Sequence, residues 1–224
     1  MSSYIKILLA LFLHIILCDS SAQTITDRNE IGGGWLQYPP EDENYIEGTR
    51  NLYDAFRPGV VYYKDGSNNL QVLLRFNIYN DEFEYLENDT LYALEGLIHL
   101  EKIEFDGQDF IYLEPNRKAS VSGYVVRWND ELPTVVTKMR MGYFNKEIGP
   151  VGKPKRFERD PDTHYIMNTH NEFEQIYSIK KLIKYLGSHK EELRSFVKKE
   201  KISASNPEEL AKLLDYFQKL EQDL

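Results

Sequence analysis

Cysteine is almost absent from this chain: Cys18 is the only one in 224 residues, and it lies close to the N-terminus. Past that point a disulfide, a thiol nucleophile and a thiolate zinc ligand are all excluded. Histidine is scarce too, with His99, His164, His170 and His189 the only ones beyond residue 22. No Gly-x-Ser-x-Gly elbow occurs. Gly32-Gly33-Gly34 has no strand signal before it and no Lys-Ser/Thr after it, and Gly149, Gly152 and Lys153 miss the Walker spacing, so neither reads as a phosphate loop. A long apolar run is missing as well. Ile7–Leu17 covers 11 residues, interrupted by His14, whereas a spanning helix needs about 20. Positive charge is short: 27 Lys and Arg against 36 Asp and Glu leave −9, which disfavours nucleic acid phosphates as partners.

What stands at the N-terminus is a targeting pattern. Lys6 precedes the apolar run, and Ser20-Ser21-Ala22 places small residues where a signal peptidase reads, so cleavage is expected between Ala22 and Gln23. Lipid attachment at Cys18 is disfavoured, because Leu17 stands where a small residue is wanted. Residues 1–22 are therefore expected to be a signal peptide. Removing them leaves 202 residues, enough for one large domain or a domain with an appendage. The expected destination is the periplasm, the cell surface or the medium. Residues 23–49, with Gly32-Gly33-Gly34, Pro39-Pro40 and Glu41-Asp42-Glu43, read as a flexible leader that holds Trp35 and Tyr38.

Residues 50–175 read as a β-rich domain. Its strongest signal is LQVLLRFNIYNDEFEYLEN, Leu70 to Asn88. Leu70, Val72, Leu74, Phe76 and Ile78 alternate onto one face, while Leu73, Arg75, Asn77 and Tyr79 point the other way. The phase slips at Asn80-Asp81, which predicts a bulge or tight turn. Further strands are expected at Val60–Lys64, Thr90–Leu94, Leu97–Phe105, Phe110–Leu113, Ser122–Trp128, Thr134–Phe144 and His164–Met167. Asp65-Gly66 and Asp106-Gly107 mark hairpins. Val135, Thr137, Met139, Met141 and Tyr143 would share one face of a single strand, and 148–162 would be a charged loop. The fold class expected is α+β: mainly an antiparallel β meander, as a sandwich, curved sheet or partial barrel, with a C-terminal three-helix element.

Residues 176–224 form that helical tail, packed on the sheet or on itself. They hold 10 Lys and Arg against 8 Asp and Glu, so the charge changes sign there. Ser178 is a cap for a helix with Ile179, Leu182, Ile183 and Leu186 on one face, ended by Gly187. Ser188 with Glu191 and Ser205 with Glu208 read as capping boxes for two more. The last carries Leu210, Leu213, Leu214, Phe217 and Leu220 as an apolar stripe.

Chemistry has few candidates. Asp160-Pro-Asp162-Thr-His164 alternates oxygen and nitrogen ligands and would chelate a metal if extended; the plainer reading is a turn before a strand. Glu82 and Glu84 share a strand face near Asp81 and Glu87, a carboxylate pairing known from glycoside hydrolysis, but alternation opposite Phe83 and Tyr85 is also what a wet face looks like. Asn88-Asp89-Thr90 matches a glycosylation sequon in a turn. Arg75, Asn77 and Tyr79 share one face and either grip a partner or form cross-strand pairs.

GTRNLYDAFRPGVVYYKDG, LLRFNIYNDEFEY, FDGQDFIYLE, KPKRFERDPDTHYI and SIKKLIKYLGSHKEELRSFVKKEKI together resemble a family of exported bacterial proteins. Its members carry a signal peptide, a β-rich body built around an Arg-aromatic-Asn-Ile-Tyr-Asn-Asp-Glu run, here Arg75 to Glu82, and a Lys-rich helical tail. The resemblance covers about residues 48–220. It implies an envelope or secreted location and a β body, and, as no activity is assigned to that family, it brings no catalytic or binding residue.

These readings point to a non-catalytic exported envelope protein, a binding or structural module without a cofactor, whose wet sheet face or edge meets a protein partner. Sixteen tyrosines supply contact groups for that role. The alternatives are a small hydrolase using carboxylates near Glu82 or the Asp160–His164 cluster, and a carrier of an apolar ligand.

Overall fold

Alternating sequences with tight polar turns fold as hairpins, and here they do so repeatedly. The computed structural model describes residues 46–222, except 68, 95, 96, 116–119, 145–154 and 171. The expected signal peptide, its Ala22–Gln23 cleavage point, Cys18 and the leader up to residue 45 lie outside the described residues, as do Gly149, Gly152 and Lys153.

Two runs of hairpins build the main sheet. The first is β2 (Arg57–Tyr63), β3 (Leu70–Asn77), β4 (Glu82–Glu87) and β5 (Thr90–Ala93); the second is β6 (Leu100–Phe105), β7 (Gln108–Leu113), β8 (Gly123–Arg127) and β9 (Thr134–Lys138). Asp106 and Gly107 both take positive φ, 53° and 74°, and so do Asn88 and Asp89, 49° and 61°. These are the two-residue turns whose twist matches the flanking strands. β2 pairs with β6 and joins the runs, and β12 (Thr163–Met167) and β13 (Phe173–Gln175) extend the far side. All pairings in this ten-stranded sheet, ordered β13-β12-β9-β8-β7-β6-β2-β3-β4-β5, are antiparallel.

The sheet curls without closing. Phe83 on β4 and Tyr124 on β8 are five strands apart, about 24 Å in a flat sheet, yet their ring centroids lie 5.0 Å apart. Phe76, Phe105 and Phe110 complete this cluster on the concave face. Aromatic pairs of this geometry add roughly 0.5–1.5 kcal/mol each beyond the area they bury. A polar latch holds the curl. Asp81, in the β3–β4 turn, accepts from Lys138 Nζ at 2.6 Å and from the Tyr124 amide at 3.3 Å. Gly123 makes room: with φ +81° it has no side chain to give up, and a Cβ there would come within 1.7 Å of an Asp81 oxygen.

The register carries one face through Val61, Ile103, Phe110, Val126, Thr137 and His164. At the β9–β12 end three helices cover it: α1 (Ile179–Leu186), α2 (Lys190–Glu200) and α3 (Pro207–Gln222). Leu182, Leu193, Leu210, Leu213 and Phe217 pack there with Val135 and Ile166, so the tail packs both on the sheet and on itself.

Several local expectations are corrected. The long strand expected from Thr134 splits: β9 ends at Lys138, and β10 (Met141–Phe144) joins a separate three-stranded sheet. The charged loop expected over 148–162 contains β11 (Lys155–Arg159), paired antiparallel with β10 and parallel with β1 (Ile46–Glu47), so the end of the expected leader is part of the fold. Phe157 of β11 packs on Tyr79 and Tyr143, a contact distant in sequence. Ser178 caps α1 as expected, accepting from the Lys181 amide, and Gly187 ends it. The capping boxes are not used: His189, in left-handed conformation, starts α2 without a side-chain cap, Ser188 bonds Glu221, and Asn206 caps α3, leaving Pro207 at its first position, where a missing amide costs nothing.

Candidate functional site

Outward-facing residues of β3 and β4 meet across the hairpin, because Arg75 stands opposite Glu84 and Asn77 opposite Glu82. Arg75 donates to Glu84 Oε2 through Nε and Nη2 at 2.8 and 2.6 Å. Asn77 donates to Oε1 at 2.8 Å, and the Arg50 guanidinium lies 3.8 Å away. Glu84 is 0% exposed and so is Asn77. The wet face expected for Glu84 is therefore corrected. The cause is the chain just before β2: Asn51 bridges to Asn77, the Leu52 amide donates to Phe76 C=O, the Ile78 amide donates to Arg50 C=O, and Phe56 lies under the Arg75 guanidinium. A carboxylate enclosed with its cations is stable as a set, and removing one member costs several kcal/mol.

Of Arg75, Asn77 and Tyr79, the structure brings the first two to Glu84 and separates the third. Tyr79, 45% exposed, meets Phe157 and Tyr143 of the small sheet edge-on at centroid distances of 5.2 and 6.2 Å.

Next to the enclosed cluster the same outer face is apolar and open. Pro58 stands opposite Leu73, and Leu86 opposite Leu91. Leu73 is 56% and Leu86 49% exposed, Pro58 is exposed, and Leu91 is half-buried. An apolar row across four strands, ending at the sheet-edge strand β5, is not needed for the core, which fills the opposite face. Leu73 gives the one sequence signal for it, being a leucine on the polar side of its strand.

The Asp160–His164 residues line a cleft of about 1060 Å³ between sheet and helices, with Trp128, Met139, Ile176 and Tyr177 among the walls. They do not act as a set. Asp162 pairs with Arg159 at 3.0 Å, and the Asp160 amide donates to Arg140 C=O. The indole N–H of Trp128 donates to Thr137 Oγ1 at 2.7 Å, and that hydroxyl shares a hydrogen bond of 2.8 Å with His164 Nδ1. A backbone hydrogen bond of Ser205 also reaches the ring. Burial lowers the His164 pKa against smaller raising effects from Ser205 and Asp162. Among the described residues, no group of three or more His, Cys, Asp or Glu side chains is placed to hold a metal ion.

The latch is the other electrostatically unusual place. Burial pushes the Asp81 carboxyl up and the Lys138 ammonium down, each opposed by the partner's charge. Burial also pushes the Tyr124 phenol well above its usual range, with Asp81 adding to it. Its hydroxyl has no hydrogen-bond partner among the described residues.

No protein-family description, curated protein or solved structure matches this chain.

Proposed function

We propose that this chain is a non-catalytic binding module, exported to a cell envelope, that engages a protein partner through the outer face of β2–β5. The observation that carries the reading is the open apolar row Pro58, Leu73, Leu86 and Leu91 beside a polar cluster whose Glu84 and Asn77 are fully buried. An apolar centre with a polar margin is the anatomy of a recognition surface. Among the described residues β5 stands at the edge of the sheet, next to β4, and edge strands are common sites of association. The N-terminal targeting pattern and the resemblance to exported bacterial proteins support the location. The hydrolase reading has less support, since Glu84 is sealed and buried His164 is tied through Nδ1 to Thr137.

The test is cross-linking and affinity capture of tagged protein from its own cell envelope, read by mass spectrometry. A stoichiometric partner should be recovered with the wild type and lost with Leu73→Gln/Leu86→Gln. Recovery of the protein alone would sink the reading. The cleft of about 1060 Å³ favours a second one, carriage of a small molecule that has both apolar and polar parts. Native mass spectrometry of the purified chain should then show a bound mass, and Met139→Trp should displace it.

A further inference from the structure

The cations of the tail are gathered in one place. Lys180, Lys181, Lys184, Lys190, Arg194 and Lys198 line a hollow of about 650 Å³ between α1 and α2. All six are exposed. Ile179, Ile183 and Val197 form its floor. Arg194 pairs with Glu191 and Lys181 lies over the Tyr177 ring. Among the described residues no carboxylate is in ion-pair range of Lys180, Lys184, Lys190 or Lys198.

Such crowding works against the helices themselves. Lys180 with Lys184, Lys190 with Arg194, and Arg194 with Lys198 are like charges four residues apart, each mildly destabilising. An external anion would reverse the sign of that contribution. The charge is also local: residues 177–201 hold eight Lys and Arg against three Asp and Glu, a net of +5, so the rest of the chain carries −14. A molecule so polarised turns its tail toward a negative surface and its body away from it.

We propose that the α1–α2 face is a peripheral docking site for an anionic phospholipid surface. The reading is independent of the sheet-face reading above. A lipid surface is favoured over a soluble acidic peptide because tyrosines accompany the lysines. Tyr177, Lys181 and Tyr185 follow one another at intervals of four residues, and the two rings are 62% and 42% exposed. Tyrosine beside lysine is the composition of a membrane–water boundary. The hollow admits a phosphate head group among the cations, with the start of its acyl chains over the apolar floor. No helix among the described residues is long and apolar enough to cross a membrane, so this contact is superficial.

The test is sedimentation of the full chain with vesicles of one part phosphatidylglycerol to two parts phosphatidylcholine, and with phosphatidylcholine alone. The apolar run at residues 7–17 is common to every arm and does not distinguish the lipids. Partition into anionic vesicles should exceed that into neutral ones at least tenfold, and the excess should vanish at 1 M salt, where the Debye length is about 3 Å. Lys181→Glu/Lys184→Glu should lower anionic partition by roughly a hundredfold. Lys212→Glu/Lys219→Glu makes the same change in net charge on α3, away from the hollow, and should cost far less. Equal partition into both vesicles, equal loss in the two double variants, or binding to soluble polyglutamate without binding to vesicles would each overturn the proposal. All four lysines are exposed, so unchanged melting temperatures will verify that the variants remain folded.

Discussion

At one end of the ten-stranded sheet, β9 and β12 are covered on both sides. Val135 and Ile166 meet the helices, while Val136 and Tyr165 meet Val121, Val125 and neighbours on the reverse. At the other end, β3 and β4 bury only the face that carries Phe76 and Phe83, and their reverse holds an enclosed ionic cluster next to exposed leucines. The first end is held largely by apolar area on both faces of its strands. The second spends charge and backbone to seal Glu84 under residues 50–56, and leaves Leu73 and Leu86 bare beside it. Covering both faces makes a scaffold; covering one and a half makes a surface that can recognise something.

The sharpest way to break this contrast is Glu84→Ala. It leaves Arg75 enclosed without its partner and should cost roughly 3–5 kcal/mol in chemical denaturation. A loss under about 1 kcal/mol would mean that residues 50–56 do not seal the cluster in solution. At the helix-covered end, Leu213→Ala removes a fully buried side chain and should cost about 2–4 kcal/mol, mostly through the cavity it leaves. The arginine left behind makes the first loss recoverable by a second change: Arg75→Met with Glu84→Leu should restore much of the stability. No single partner change is expected to do so for Leu213→Ala.

Acid should act at the helix-covered end. His164 is neutral in the fold because burial lowers its pKa below the ordinary 6.5. The unfolded chain therefore takes up the proton first, and stability present above pH 6.5 is lost as pH falls toward the folded value, by at most about 1.4 kcal/mol per pH unit. Melting temperatures measured from pH 7 to pH 5 should fall less steeply in His164→Asn. A slope unchanged by the substitution would assign the acid sensitivity to other groups. The smallest effect on stability belongs to Leu73→Gln, within about 0.5 kcal/mol. The same change should abolish partner capture, which separates recognition from folding at this face.

Local order was legible because it depends on neighbours in sequence. The alternation from Leu70 to Ile78, the Asp106-Gly107 hairpin, the Ser178 cap and the apolar stripe of α3 could all be read from the chain. The site was legible in part. The sequence placed Arg75 and Asn77 on a common face but gave no reason for Asn77 to be buried, since the residues that bury it lie more than twenty positions upstream.

By itself, then, the sequence determined an antiparallel β body with a helical, cationic tail, through periodicity, turn chemistry and charge. Tertiary structure decided which polar side chains are wet. It curled the sheet until Asp81 met Lys138, folded 50–56 over Glu84, and diverted β10 and β11 into a second sheet. The physical reason is that burial of a charged group is set by contacts distant in the chain. A carboxylate alternating with aromatics looks the same from the sequence whether water or a guanidinium stands opposite.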